Sequence, residues 1–199
     1  MCPLLPKPRL DDLPDCHIRY YPGFLTEYES DGLFHNLRND TPWQQDSISL
    51  FGKTYQQPRL TALYGEKGRS YSYSGITMLP HPFSTQLYQL KKKVEEFSGN
   101  RFSSCLLNLY RDGSDSNGWH ADNEPELGDC PVIASLSLGA VRRFQLKHRR
   151  RRELKLTMEL HHGSLLLMQG PTQHHWLHQV PKTRKEIGER INLTFRLIQ

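Results

Sequence analysis

No run of apolar residues in this chain approaches the ~18 that cross a bilayer, so a transmembrane helix is not expected. There is no internal repeat, which argues against a solenoid or propeller. Cysteine is scarce. Cys2, Cys16, Cys105 and Cys130 form neither a C-x-x-C pair nor a dense framework, which points to free thiols in a reducing compartment rather than disulfides or zinc. The opening Met1-Cys2-Pro3-Leu4-Leu5-Pro6 is too short and too broken by proline for a signal peptide, so an intracellular protein is expected. What is present fits one domain of 199 residues, large enough for a substantial core. The 26 Lys and Arg outweigh the 21 Asp and Glu, giving a net charge of +5 that suits a polyanionic partner.

Residues 1–16 carry several prolines and few large apolar side chains, and read as a flexible arm; 17–199 read as one domain. Leu25 to Arg38 has helical spacing, with Thr26 as N-cap and Leu25, Leu33 and Leu37 near one stripe. Ser84 to Ser98 is a stronger helix: Ser84 caps it, Leu87, Leu90, Val94 and Phe97 form the stripe, and Gly99-Asn100 end it. Residues 43–79 read as short strands joined by glycine turns. From residue 102 onward strands dominate, over 103–110, 132–138, 142–148, 154–160, 163–168 and 190–198, with breaks at glycine and proline. Many short strands of this kind indicate a sandwich or jelly roll. The Arg149–Arg152 run falls between two of them, at a hairpin tip, where it is either a solvated basic turn or a set of phosphate contacts.

In a strand, alternate side chains share a face. Arg190, Asn192, Thr194 and Arg196 therefore line one face, and Ile191, Leu193, Phe195 and Leu197 the other. Two guanidiniums on a core strand are costly unless anions meet them, and a short dicarboxylate with a charge at each end would meet both. His120 and Asp122, at i and i+2, also point one way. A distant third histidine would complete the two-histidine, one-carboxylate set that holds non-haem iron(II) with open positions. Strand periodicity leaves His174 and His178 as candidates for that third ligand and disfavours His175. Iron with a dicarboxylate suggests an oxygenase.

The ordered set Asn108-x-Tyr110, His120-x-Asp122, Trp176-x-His178-x-Val180-Pro181 and Arg190-x-Asn192-x-Thr194-x-Arg196 resembles the AlkB family of Fe(II)- and 2-oxoglutarate-dependent nucleic-acid dealkylases. The likeness runs from about residue 43 to 198. It implies that His178 is the third ligand beside His120 and Asp122. It also implies that 2-oxoglutarate chelates the iron and reaches Arg190 and Arg196, with Asn108, Tyr110, Asn192 and Thr194 lining its pocket. The implied fold is α+β but mainly β: a double-stranded β-helix (jelly roll) core with N-terminal helices and a nucleotide-recognition lid over about 43–79. The implied activity is oxidative demethylation of N1-methyladenine and N3-methylcytosine in DNA, consuming O2 and 2-oxoglutarate and releasing succinate, CO2 and formaldehyde. RNA demethylation by the same chemistry and a non-catalytic nucleic-acid-binding jelly roll are the alternatives.

An enzyme that acts on a base must extrude it and hold it between flat groups. Tyr71 and Tyr73 share a strand face in Tyr71-Ser72-Tyr73-Ser74, and by the family resemblance this segment forms part of the base pocket. Tyr73 is the leading stacking candidate, with Tyr71 and Ser74 beside it and His120 on the other side of the base. Glu124 is suited to accept from an exocyclic amine, and its charge favours a cationic methylated base. Phe51, on a glycine turn beside Lys53, resembles a wedge that replaces an extruded base in duplex DNA. The following Thr54–Thr61 resembles members that favour single strands, and Arg59 there is a candidate phosphate or base contact. The expected partner is alkylated DNA, single- or double-stranded, with RNA as the alternative, bound by a monomer with no membrane attachment. The expected compartment is the bacterial cytoplasm, or the nucleus in a eukaryote.

Overall fold

The computed structural model describes residues 13–50, 53–66, 71–73 and 76–199; for 48–50, 53, 71–73 and 76–78 only the backbone is considered. The first half of the chain contains β1 (His17–Tyr21), α1 (Glu27–Asp40), β2 (Ser47–Leu50), β3 (Lys53–Gln56), β4 (Leu60–Gly65), β5 (Tyr71–Tyr73), β6 (Ile76–Met78) and α2 (Thr85–Ser98). The second half contains β7 (Ser104–Tyr110), β8 (Asn117–His120), β9 (Ile133–Gly139), β10 (Arg142–His148), β11 (Lys155–Leu160), β12 (Ser164–Gln169), α3 (Thr172–His175), β13 (Trp176–Val180) and β14 (Arg190–Arg196).

Both long helices are set by their caps. Thr26 accepts from the Glu29 amide at 3.3 Å while the Glu29 carboxylate accepts from the Thr26 amide at 2.9 Å, a reciprocal box that starts α1. Ser84 caps α2, and Gly99, at φ 69°, ends it in the left-handed region that glycine adopts without strain.

Two antiparallel sheets face each other as a jelly roll. The major sheet has the order β1-β12-β9-β14-β7-β4 and the minor sheet β11-β10-β13-β8. Every residue of β7 and of β14 is buried, because the major sheet is covered on both faces. On the outer face Leu33 and Leu37 of α1 and Leu87, Leu90 and Val94 of α2 share one core with Leu107, Leu136, Leu193 and Phe195. Each such side chain contributes roughly 1.5–3 kcal/mol on burial. On the inner face Leu106, Ile133 and Leu166 meet Phe144, Leu146 and Trp176 of the minor sheet. That alternation turns Asn108, Tyr110, Arg190, Asn192, Thr194 and Arg196 toward the space between the sheets.

Three expectations change. Leu60–Gly65, placed above in the lid segment, is the edge strand of the major sheet, paired with β7; it is buried almost throughout, so no polar alternation marks it. What remains of that segment is two hairpins, β2–β3 and β5–β6. The arm is docked at its end: Leu13 and Cys16 are buried, and the Pro14 carbonyl accepts from Trp176 Nε1 at 3.0 Å. Phe97, assigned to the apolar stripe of α2, is 49% exposed and meets Tyr21 edge-on at 4.8 Å.

Candidate active site

β8 and β13 pair with His120 opposite His178, and Asp122 lies just beyond the end of β8. One ligand atom from each of His120, Asp122 and His178 lies within 4.8 Å of the other two. The two imidazoles are 4.2 Å apart between centroids. His174, the other candidate, sits in the one-turn helix α3 and is exposed, with Nε2 accepting from the Cys130 amide. Pro171 leads into that turn, so the strand that would have aligned His174 with His178 begins only at Trp176.

Surrounding groups orient the three side chains. His120 Nδ1 lies 2.7 Å from the Gly118 carbonyl, which fixes the proton there and leaves Nε2 as a lone pair; the Asn117 amide donates to that Nε2 at 3.2 Å. The Asp122 amide donates to Gln173 Oε1 at 2.9 Å, and Asp122 Oδ1 accepts from Arg196 Nη2 at 2.9 Å. Burial pushes the Asp122 carboxyl up, but Arg196 and the two histidines outweigh it and hold it at about 2. Burial and the neighbouring His120 bring His178 down to about 3, against the pull of Asp122. Burial also lowers His120. At neutral pH the set is therefore one carboxylate and two neutral imidazoles, the protonation states that a divalent cation requires.

A narrow cavity of about 30 Å³ joins this triad to the inner face of β7 and β14. Arg190, 1% exposed, donates through Nη2 to Ser137 Oγ at 2.9 Å, while its Nε and Nη1 have no hydrogen-bond partner. Burial lowers its guanidinium to about 10, and its carbon lies 5.2 Å from the Tyr110 ring centroid. A buried guanidinium with two unmet donors fits a bidentate carboxylate. Asn192 donates to Ser135 Oγ at 2.8 Å and accepts from Thr194 Oγ1 at 3.0 Å. Asn108 Oδ1 accepts from Arg59 Nε at 2.7 Å.

Two arginines have contacts that spacing did not reveal. Arg196, pictured as the second arm on a dicarboxylate, lines the cavity and forms a buried ion pair with Asp122. Arg59, pictured as a phosphate or base contact, is 4% exposed and lines the triad's cavity. Glu124 is half-buried at the start of the turn Pro125–Leu127. The side chains of Tyr71 and Tyr73, and all of Phe51 and Ser74, lie outside the described residues. Ser137, Gln173 and Arg142 were missed. The Ser135-x-Ser137 alternation on β9 faced the same interior as Arg190 and could have signalled the first; Gln173 and Arg142 act through contacts that no local spacing reveals. A second cluster, Asp15, His148 and His175, also brings ligand atoms within 4.8 Å. There His148 Nδ1 accepts from the amides of Arg150 and Arg151, so the ring proton sits on Nε2, the atom a metal would need.

The sequence profile of the 2OG-Fe(II) oxygenase superfamily matches residues 17–196. This chain is 46% identical over 186 residues to alpha-ketoglutarate-dependent dioxygenase alkB homolog 3 of Bos taurus, covering 89% of itself and 64% of that protein. It is 38% identical over 188 residues to the Mus musculus DNA oxidative demethylase ALKBH2, covering 89% and 79%. It spans less than two thirds of the bovine protein. A solved structure of OsALKBH1 superposes with TM-score 0.60 at 18% identity, covering 90% of this chain and 97% of that one. A prolyl hydroxylase from Trichoplax adhaerens superposes with TM-score 0.62 at 14% identity, covering 91% and 83%. These two likenesses establish the fold. The chain therefore has the jelly-roll fold and belongs to the 2OG-Fe(II) oxygenase superfamily. Within that class it belongs to the AlkB family. Its donor set fits the cofactors of that class: two imidazoles and a carboxylate for Fe(II), and an open buried guanidinium for the diacid.

Proposed function

We propose that this chain is the catalytic domain of a DNA repair dioxygenase that oxidatively demethylates N1-methyladenine and N3-methylcytosine. The observation that carries the proposal is one cavity shared by a His-Asp-His set of two neutral imidazoles and a carboxylate and the open guanidinium of Arg190. His120, Asp122 and His178 would hold Fe(II). Arg190 would take the distal carboxylate of 2-oxoglutarate, with Asn108, Tyr110, Asn192 and Thr194 as the pocket walls. Arg196 would act mainly through Asp122, keeping that ligand ionised and aimed. When bound, Fe(II) with 2-oxoglutarate and O2 supplies the oxidising power that hydroxylates an N-methyl carbon, giving succinate, CO2 and finally formaldehyde.

The rest of the work belongs to side chains. Gly118 and Asn117 hold the His120 tautomer. Phe144, 5.3 Å from the His178 ring, helps keep water from that ligand. Tyr73, with Tyr71 and Ser74, is our assignment for the base-stacking wall. Glu124 and the ligand Asp122 favour a cationic methylated base over the neutral one, and we assign Arg59 to a base inside the cavity, its burial arguing against a phosphate outside it. Phe51 is assigned as the wedge.

The relatives named above include a DNA oxidative demethylase. Together with the net charge of +5 this favours a nucleic-acid substrate over a protein or small molecule. Mammalian relatives favour the nucleus over the bacterial cytoplasm, and we take the working state to be a monomer. Among the described residues no helix is long and apolar enough to cross a membrane. The test is formaldehyde release from matched single-stranded DNA, duplex DNA and RNA bearing one N1-methyladenine. Turnover on DNA is expected; turnover on RNA alone would move the assignment to RNA demethylation, and none on any would defeat it.

A further inference from the structure

Four guanidiniums are buried in this part of the fold, each 4% exposed or less: Arg59, Arg190 and Arg196 line the triad's cavity, and Arg142 lines a neighbouring cleft. Arg196 has the carboxylate of Asp122, and Arg59 lies against the Asn108 amide oxygen. Arg142 is different. Nη1 donates to the Asp112 carbonyl at 3.1 Å, and Nη2 to the carbonyls of Asp115 and Pro181 at 2.8 Å each. All three partners are neutral. The nearby carboxylates are engaged elsewhere: Asp115 binds Arg111 and Asp112 accepts from Ser114.

The Arg142 guanidinium also lies 5.4 Å from the centroid of the Tyr110 ring, the same ring that Arg190 approaches at 5.2 Å. Two buried cations thus share one aromatic side chain, and neither has an ion-pair partner among the described residues. Like charges this close in a dry interior are costly until an anion arrives. The carbonyl clamp adds a mechanical link. Asp112 and Asp115 follow β7, which carries Asn108 and Tyr110; Pro181 follows β13, which carries His178. The two loops are in close contact, since Thr183 donates its amide to the Gly113 carbonyl at 2.8 Å. A Cβ on Gly113 would meet the Thr183 carbonyl at 2.5 Å.

We propose that Arg142 is a positioning residue for the cosubstrate: its charge and its three-carbonyl clamp set Tyr110 and the closed end of the pocket for the distal carboxylate of 2-oxoglutarate. This rests on the reading that Arg190 receives that carboxylate. Arg142 itself acts through Tyr110 and through the field it adds beside Arg190. Its role is selectivity for a diacid over a monoacid of the same 2-oxo head.

The test compares binding of 2-oxoglutarate with that of 2-oxobutanoate, which keeps the 2-oxo acid head and lacks the distal carboxylate, by calorimetry on the Mn(II)-loaded full chain. Arg142→Met is expected to weaken 2-oxoglutarate on the order of tenfold, the scale of one uncompensated buried charge, and to change 2-oxobutanoate less than about twofold on the same reasoning. Arg142→Lys keeps the charge and should retain most of the diacid preference. Equal weakening of both acids by Arg142→Met, or an unchanged preference, would overturn the proposal. So would an Arg142→Lys variant that loses the diacid preference, an outcome that can be read even if the methionine variant folds poorly. A wild-type protein with no preference for the diacid would instead remove the underlying reading of Arg190, and Arg190→Met separates the two because it should abolish the preference on either account of Arg142.

Discussion

Arg196→Met should leave Asp122 as a buried carboxylate without its cation. Asp122 is 1% exposed and Arg196 4%, so solvent screens the pair little. Removing one partner of such a pair costs about 3–5 kcal/mol, mostly because the remaining charge stays desolvated. The acid limb gives an independent figure. Asp122 is held at about 2 from an ordinary 3.8. A carboxyl depressed in the folded state contributes stability that is present above its unfolded pKa and lost as pH falls through the folded one. The window is therefore pH 4 down to 2, and the contribution is about 2 kcal/mol. The variant should accordingly be about 3–5 kcal/mol less stable than wild type at pH 7, and that gap should narrow by at least about 2 kcal/mol on acidification to pH 2, because the variant's desolvated carboxyl takes its proton at higher pH than wild type's. Urea unfolding of the EDTA-treated proteins across pH reads both quantities. Mn(II) should shrink the gap at pH 7, because a divalent cation replaces the lost guanidinium. A gap below about 1 kcal/mol that does not vary with pH, the range of a surface ion pair, would refute this coupling.

Other consequences are equally direct. His178→Ala should abolish formaldehyde release from methylated oligonucleotide while the fold survives, and undiminished turnover would remove it from the ligand set. Phe51→Ala should weaken activity on duplex more than on single-stranded substrate; equal losses would place Phe51 in a core. Gly163, at φ 72°, sits where a Cβ would meet Ser30 Oγ at 2.5 Å and the Leu25 carbonyl at 3.0 Å. Gly163→Ala should lower stability by about 1–3 kcal/mol in urea unfolding without changing the midpoint of Mn(II) binding at saturating protein fold.

Period-two spacing carried most of the interior of the site. The faces of β14 and β7 lie as alternation requires, because both strands are central and pair without a break in register. The helices followed from their caps: Thr26 and Ser84 sit where the expected boundaries put them. Where reading failed, the cause was a contact between distant segments or a break in period. Spacing alone left His174 beside His178, because a one-turn helix interrupts the run at Pro171 and only then does β13 begin. Arg196 could not be paired with Asp122 from spacing, since they are 74 positions apart. Arg142 looked like any basic residue at a strand start, and only the return of two loops gives it three carbonyls. The edge strand β4 was hidden in the lid segment because both of its faces are covered.

The measurement that bears most directly on the central claim is a crystal structure with Mn(II) and N-oxalylglycine bound. The expected result is one Mn(II) coordinated by His120, Asp122 and His178, with the distal carboxylate of the mimic hydrogen-bonded to the open donors of Arg190. A cation seated at Asp15, His148 and His175 instead, or a diacid bound away from Arg190, would contradict it.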